Sequence, residues 1–211
     1  MNRKLFSVVA SLLLLTKIIF AQSFEGEITY KNSYHSKVTT FTDEQWKSIV
    51  GMQQDYFIKG GNYKSVMNGS VVASYLYHAK ENKLYTEFQD GNIMYWSDAS
   101  INTDSVLGFE VKKNATRILN YNCDELILHC RKGTQTYDFA PQLSADPSLF
   151  VNHKFGNWYD YIRIAKALPL RMVIEQDQVV ITSEATSVKP MRLDDDFFVL
   201  PADVNLVKSP Y

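Results

Sequence analysis

The sequence contains only two cysteines, and their spacing argues against a bond between them. Cys123 and Cys130 lie in a chain of 211 residues. Residues 124–131 read as a β-strand, and seven residues at ~3.3 Å each separate the two thiols by about 23 Å. A disulfide requires Cα atoms roughly 4.4 to 6.8 Å apart. The sequence therefore predicts two unpaired cysteines, with Cys130 packed beside Leu126 and Leu128 on one face of the strand.

Apolar runs long enough to span a membrane are also lacking. The longest one, Leu5 to Phe20, follows Arg3 and Lys4 and is interrupted by Thr16 and Lys17. Its apolar core is shorter than the ~20 residues of a spanning helix. A basic start, an apolar stretch and a small residue at position 21 are typical of a secretory signal. We predict a signal peptide over residues 1–21 and one domain over residues 22–211, with an uncleaved anchor as the alternative. Gln22 and Ser23, not a cysteine, directly follow the predicted cleavage point, so no lipid anchor is expected.

A basic excess of the kind that nucleic-acid-binding proteins carry is missing. Loss of residues 1–21 removes three of the 22 basic side chains and leaves 23 acidic ones. This balance, without clustered basic residues, excludes a nucleic-acid partner. The four histidines are scattered, and no pair has the spacing of zinc ligands. Asp194, Asp195 and Asp196 lack the alternate spacing of a calcium loop, so a solvated acidic loop is the preferred interpretation.

Motifs of known enzyme classes are absent as well. There is no G-x-S-x-G turn for a serine nucleophile, no zinc-protease motif, no phosphate-binding glycine loop and no dinucleotide fingerprint. We therefore expect a non-enzymatic protein without a cofactor or a metal. An active site assembled from distant strands stays open as an alternative, because such sites leave no linear motif.

The patterns that are present indicate strands. Residues 24–31 alternate in polarity, and from Tyr56 onward short apolar and aromatic runs alternate with turn dipeptides, as in consecutive hairpins. Two helices are predicted: one near 43–50, begun by a Thr42 and Gln45 capping box, and one within 144–169 that ends before Pro169. The predicted fold class is α+β and mostly β: a curved antiparallel sheet, an incomplete barrel, with one or two helices covering the concave face.

Aromatic side chains are abundant, and they supply the candidate ligand site. The chain has 12 Phe, 13 Tyr and 3 Trp, residue types that serve cores and ligand-lining walls alike. Phe155, Trp158 and Ile162 fall at helical spacing in the second predicted helix. They are either a plug for the core or the lid of an apolar ligand site.

Three segments resemble one known superfamily. They are Phe24 to Tyr30, the stretch Ile118 to Cys123, and the end of the chain from Leu168 to Pro201. Together they are similar to the periplasmic outer-membrane lipoprotein carriers and their secreted relatives in Gram-negative bacteria, although Asn120 stands where some relatives have glycine. The resemblance implies a signal peptide followed by an incomplete antiparallel barrel that is covered by helices and binds acyl chains.

Two functions are consistent with these observations. The first is a periplasmic or secreted protein that binds a lipid or another apolar ligand, such as an acyl chain, in a half-open barrel beneath Phe155, Trp158 and Ile162. The second is a structural or interaction module of the cell envelope whose core is filled and whose partner is another envelope protein. An apolar cavity of ~300 Å³ or more would distinguish the first from the second.

Overall fold

Twelve strands make up one curved sheet in the part of the chain that the structure describes. The structure is a computed structural model that describes residues 23–91 and 93–210; the predicted signal peptide lies outside the described residues. The strands are β1 Gly26–Ser36, β2 Gln53–Lys59, β3 Asn62–Met67, β4 Val72–His78, β5 Lys83–Phe88, β6 Ile93–Asp98, β7 Val106–Ile118, β8 Tyr121–Cys130, β9 Thr134–Ser144, β10 Ala167–Glu175, β11 Val179–Pro190 and β12 Asn205–Lys208.

The sheet order places the first strand in the middle. It runs β12-β6-β5-β4-β3-β2-β1-β11-β10-β9-β8-β7, so β12 and β7 are its two edges and the sheet does not close into a barrel. Neighbouring strands pair antiparallel, with one difference from the prediction: β12 pairs parallel to β6. The predicted fold class is confirmed.

The strand β7 differs from its sequence pattern. The polarity pattern of the sequence marks two separate strands, Phe109 to Lys112 and Ile118 to Tyr121, whereas the structure has one long strand from Val106 to Ile118, followed by the turn to β8. The pairing of β7 with β8 shifts between Lys112 and Thr116. Because a bulge places an extra residue in one strand, it interrupts the alternation that marks a strand in the sequence.

The first helix, α1 (Asp43–Val50), begins as the sequence predicts. The backbone N–H of Gln45 donates to Thr42 Oγ1 over 3.2 Å, and the backbone N–H of Thr42 donates to Gln45 Oε1 over 2.8 Å. These reciprocal bonds form the expected capping box. The helix contacts β1 but has no buried residue.

The second helix, α2 (Trp158–Ala165), is short. Two 3₁₀ turns, Pro147–Phe150 and Phe155–Asn157, precede it. The helix ends at Lys166, whose φ of 52° is left-handed, and Ala167 already begins β10. The prediction that the helix stops before Pro169 is therefore confirmed, and Pro169 itself lies inside a strand.

Side chains on opposite faces of the sheet form two cores. Tyr56 and Ile58 belong to the larger core, which α2 covers, while Phe57 between them packs against the smaller one. Alternate residues of a strand point to opposite faces, so a single strand supplies both cores. The C-terminal segment covers the smaller core: the predicted acidic loop forms a 3₁₀ turn, Asp195–Phe198, and Phe198 is buried there.

Both thiols follow the prediction. Cys123 and Cys130 are free and buried, and Cys130 lies on the core side of β8 with Leu126 and Leu128. Cys130 has one further contact, which the sequence did not predict: the side-chain amide of Asn157 lies 3.3 Å from Cys130 Sγ.

Candidate functional site

The three predicted ligand residues do not share one surface. Ile162 is fully buried in the larger core, and Trp158, one turn before it on α2, packs against the same core. Phe155 lies in the preceding 3₁₀ turn and is 43% exposed. Gly156 and Asn157 separate it from the helix, each with a left-handed φ of 62°. Helical spacing does not hold across left-handed residues, so Phe155 leaves the face that Trp158 and Ile162 share.

The space beneath α2 is filled by aromatic side chains of the protein itself. The ring of Tyr161 stacks on Tyr137 at a centroid distance of 4.1 Å, and the Trp158 ring lies 5.4 Å from that of Tyr161. The Tyr161 hydroxyl donates to the carbonyl of Ala167 over 2.8 Å, and the Tyr30 hydroxyl donates to the carbonyl of Pro169 over 2.7 Å. Each tyrosine thus buries its ring and satisfies its polar end within the fold.

A buried histidine sits at one end of this aromatic cluster. His153 Nε2 lies 2.7 Å from the Tyr63 hydroxyl, and the two rings are stacked. Burial lowers the pKa of His153 to about 3, so the imidazole is neutral at physiological pH. His153 Nδ1, Trp158 Nε1 and Tyr56 Oη are buried without a hydrogen-bond partner in the described structure. The sequence did not predict this group, because its members are far apart along the chain.

A row of charged residues crosses the opposite face of the sheet. Successive cross-strand pairs connect six strands from β1 to β7, and directly opposed residues share a face. The row consists of Lys31, Glu184, Arg171, Asp138, Glu125 and Lys112. No sequence pattern marks it, because each member comes from a different strand.

The centre of the charged row is an ion pair between the buried Asp138 and the partly exposed Arg171. Arg171 Nε donates to Asp138 Oδ2 over 2.7 Å, and Asp138 is only 1% exposed. Burial raises the pKa of Asp138, and the neighbouring Arg171 opposes that rise. At the end of the row, the Lys112 ammonium lies 2.7 Å from Glu125 Oε1.

An open groove lies where the β7–β8 turn faces β11. It holds about 480 Å³ and is lined by Leu119, Asn120, Tyr121, Thr186, Ser187 and Val188. Leu119 has a left-handed φ of 52°, and its apolar side chain is exposed. A bulky residue in this conformation is uncommon. The groove offers both apolar side chains and hydroxyl groups to a ligand.

Residues 23–91 and 93–210 contain neither a cluster of metal-ligating side chains nor a membrane-spanning helix. Within these ranges, no three His, Cys, Asp or Glu side chains come together in a way that could hold a metal ion. No helix in these ranges is long and apolar enough to cross a membrane.

Comparisons with known proteins find similarity of shape alone. No protein family matches the chain, and no curated protein matches it. A solved structure of PNGF-II in space group C2 superposes with a TM-score of 0.48 at 16% sequence identity, covering 89% of this chain and 31% of that one. A second PNGF-II structure, in space group P21, gives a TM-score of 0.47 at 15% identity, covering 89% of this chain and 32% of that one. The chain thus spans about a third of the PNGF-II chains that it resembles.

Proposed function

We propose that this chain is a non-enzymatic interaction module of the bacterial cell envelope, exported and released into the periplasm after cleavage behind Ala21. The observation that carries the proposal is the filled space between α2 and the sheet. Tyr161, Ile162 and Leu168 are all fully buried there. The exposed surface is then what remains for recognition.

An apolar ligand beneath α2 would have to displace these side chains. A ligand site of ordinary size needs ~300 Å³ or more. Opening that volume would expose Tyr161 and Ile162 to water and break the bond from the Tyr161 hydroxyl to Ala167. Each large apolar side chain that leaves a core costs about 1.5–3 kcal/mol, so a closed core is the favoured state without a ligand.

Binding of a lipid or acyl chain is the second candidate, and the groove at the β7–β8 turn supports it. Leu119, Tyr121 and Val188 give that groove an apolar part, and its volume of about 480 Å³ exceeds the minimum for a ligand site. This location differs from the one that Phe155, Trp158 and Ile162 predicted.

Native mass spectrometry on the mature protein, residues 22–211 purified from a bacterial periplasm, tests the two candidates. We expect the mass of the bare polypeptide, unchanged after incubation with envelope lipids. A stoichiometric lipid adduct would contradict the interaction module. Two variants then locate the ligand: loss of the adduct in Leu119→Asp assigns it to the groove, and loss only in Trp158→Asp assigns it to α2. Val71→Asp, at an exposed apolar residue that bonds α1 and lies in neither the groove nor the larger core, is the matched control.

A further inference from the structure

The edge strand β7 carries exposed apolar side chains. Among the described residues, β7 pairs with β8 on one side only. Leu107 is 71% exposed and Phe109 52% exposed, and Val111 is exposed as well. An unpaired edge offers a row of backbone N–H and C=O groups to another strand. We propose that two copies of this chain form a two-fold dimer by antiparallel pairing of their β7 strands, centred on Val111.

Charge complementarity identifies the second copy as the occupant of this edge. Glu110 and Lys112 flank Val111 in the sequence and lie on the same face of β7. When two β7 strands pair antiparallel about Val111, Glu110 of one copy lies directly opposite Lys112 of the other. The two-fold axis repeats this contact, so the dimer gains two opposite-charge cross-strand pairs, each of which is stabilising.

The same charges oppose the two neighbouring antiparallel registers and the parallel one. Centring the pair on Glu110 places two carboxylates opposite each other, and centring it on Lys112 does the same for two ammonium groups. A parallel, in-register pair repeats both repulsions. Like charges directly opposite are destabilising, so the charges on β7 favour one register.

The side chains and the backbone of β7 fit that register. Irregular pairing between Val106 and Gly108 and between Lys112 and Thr116 bounds a regular stretch over Gly108–Lys112. Phe109 lies opposite the buried Leu128 and Val111 opposite the buried Leu126, so both point to the core side of the sheet. In the dimer, Val111 opposes its counterpart and Phe109 reaches it diagonally, within the range of an aromatic ring.

Existing ion pairs do not prevent the contact. Lys112 bonds Glu125, and Glu110 Oε1 lies 3.0 Å from His129 Nε2. An ammonium has three donors and a carboxylate can accept several bonds. Glu110 of the second copy therefore extends the charged row beyond Lys112. Lys112 then lies between two carboxylates, Glu125 of its own chain and Glu110 of the second copy.

Charge exchange tests the proposal. Sedimentation of the mature protein up to about 300 μM covers the micromolar range of small interfaces. We expect a dimer whose dissociation constant rises about tenfold or more in Glu110→Lys and in Lys112→Glu, because each turns two attractive pairs into repulsive ones. The double variant Glu110→Lys/Lys112→Glu should recover the dimer, although its new glutamate still faces Glu125. Lys80→Glu, an exposed charge change on a distant turn, should leave the dimer unchanged.

A cysteine scan determines the register. Opposed Cα atoms lie about 4.5 or 5.5 Å apart in antiparallel pairs, within disulfide range. Val111→Cys should form an intermolecular disulfide under mild oxidation, and Phe109→Cys should form little. Circular dichroism and thermal melting confirm that each variant folds. A monomer at every concentration, a dimer that both single charge variants retain, or preferential bonding through Phe109→Cys would overturn the proposal.

The dimer rests on the proposed interaction module, because it makes a second copy of this chain one of the module's partners. The two proposals can nevertheless fail separately. A lipid adduct in native mass spectrometry would refute the interaction module without altering the sedimentation result. A strictly monomeric protein of bare polypeptide mass would refute the dimer and leave the interaction module in place.

Discussion

Shortening one side chain of α2 measures whether the space beneath the helix is filled. Ile162 is 0% exposed and lies in the larger core. Ile162→Ala removes buried carbon atoms and leaves a cavity, which costs about 2–5 kcal/mol in a packed core. For a domain of this length, each kcal/mol lowers the midpoint of thermal unfolding by about 2–4 °C. The expected loss is therefore roughly 4–20 °C.

Ile164→Ala is the matched control for this change. Ile164 lies on the same helix but is only partly buried, and it packs at the margin of the same core. Both substitutions raise helix propensity by the same amount, so the difference between them reports burial. Urea unfolding, followed by circular dichroism, gives the free energy of unfolding of each variant at a shared slope.

A small effect at Ile162 would refute the reasoning. If Ile162→Ala stays within about 0.5 kcal/mol of the wild type, as surface substitutions do, α2 is not packed on the sheet. The filled core would then lose its support, and an open ligand site beneath the helix would regain it. Equal costs for Ile164→Ala and Ile162→Ala would contradict the difference in burial on which the comparison depends.

Three further predictions concern buried polar groups. Arg171→Met should cost about 1–3 kcal/mol at pH 7, because the buried Asp138 carboxylate loses its partner, although the arginine itself is partly exposed. Burial raises the pKa of Asp138, so the stability of the folded protein falls as pH rises through that pKa. Urea unfolding at pH 3 should therefore show a smaller loss. The pKa of His153 is lowered from 6.5 to about 3, so the wild type should lose stability as pH falls between those values, and His153→Gln should show a shallower loss over that range. Thiol titration should find Cys123 and Cys130 unreactive in the folded protein and two free thiols after denaturation; burial raises the pKa of Cys130 to about 11.

Short sequence patterns were enough to predict several elements of the fold. The capping box at Thr42 and the strand containing both cysteines each depend on neighbouring residues, and both are found as predicted. The helix end before Pro169 follows the same logic, because proline cannot continue a helix. The sheet order and the parallel pairing of β12 depend on contacts between distant segments, which short patterns do not encode.

The candidate site was harder to predict for the same physical reason. Helical spacing linked Phe155 to Trp158 and Ile162, but it assumes an unbroken right-handed helix, and the left-handed backbone at Gly156 and Asn157 removes that link. The pair of His153 with Tyr63 joins residues 90 positions apart. Whether aromatic residues fill a core or line a cavity depends on how side chains interdigitate, and composition is the same in both cases.

Contact between an acyl chain and Trp158 is the most direct test of the central claim that α2 closes over a filled core. The chain has three tryptophans, so Trp46→Phe/Trp96→Phe leaves Trp158 as the only tryptophan. A bromine-labelled fatty acid quenches a tryptophan that it touches. We expect Trp158 emission in the folded mature protein to stay unchanged as this fatty acid is added. Saturable quenching at one fatty acid per chain would contradict it and would place an acyl chain beneath the helix.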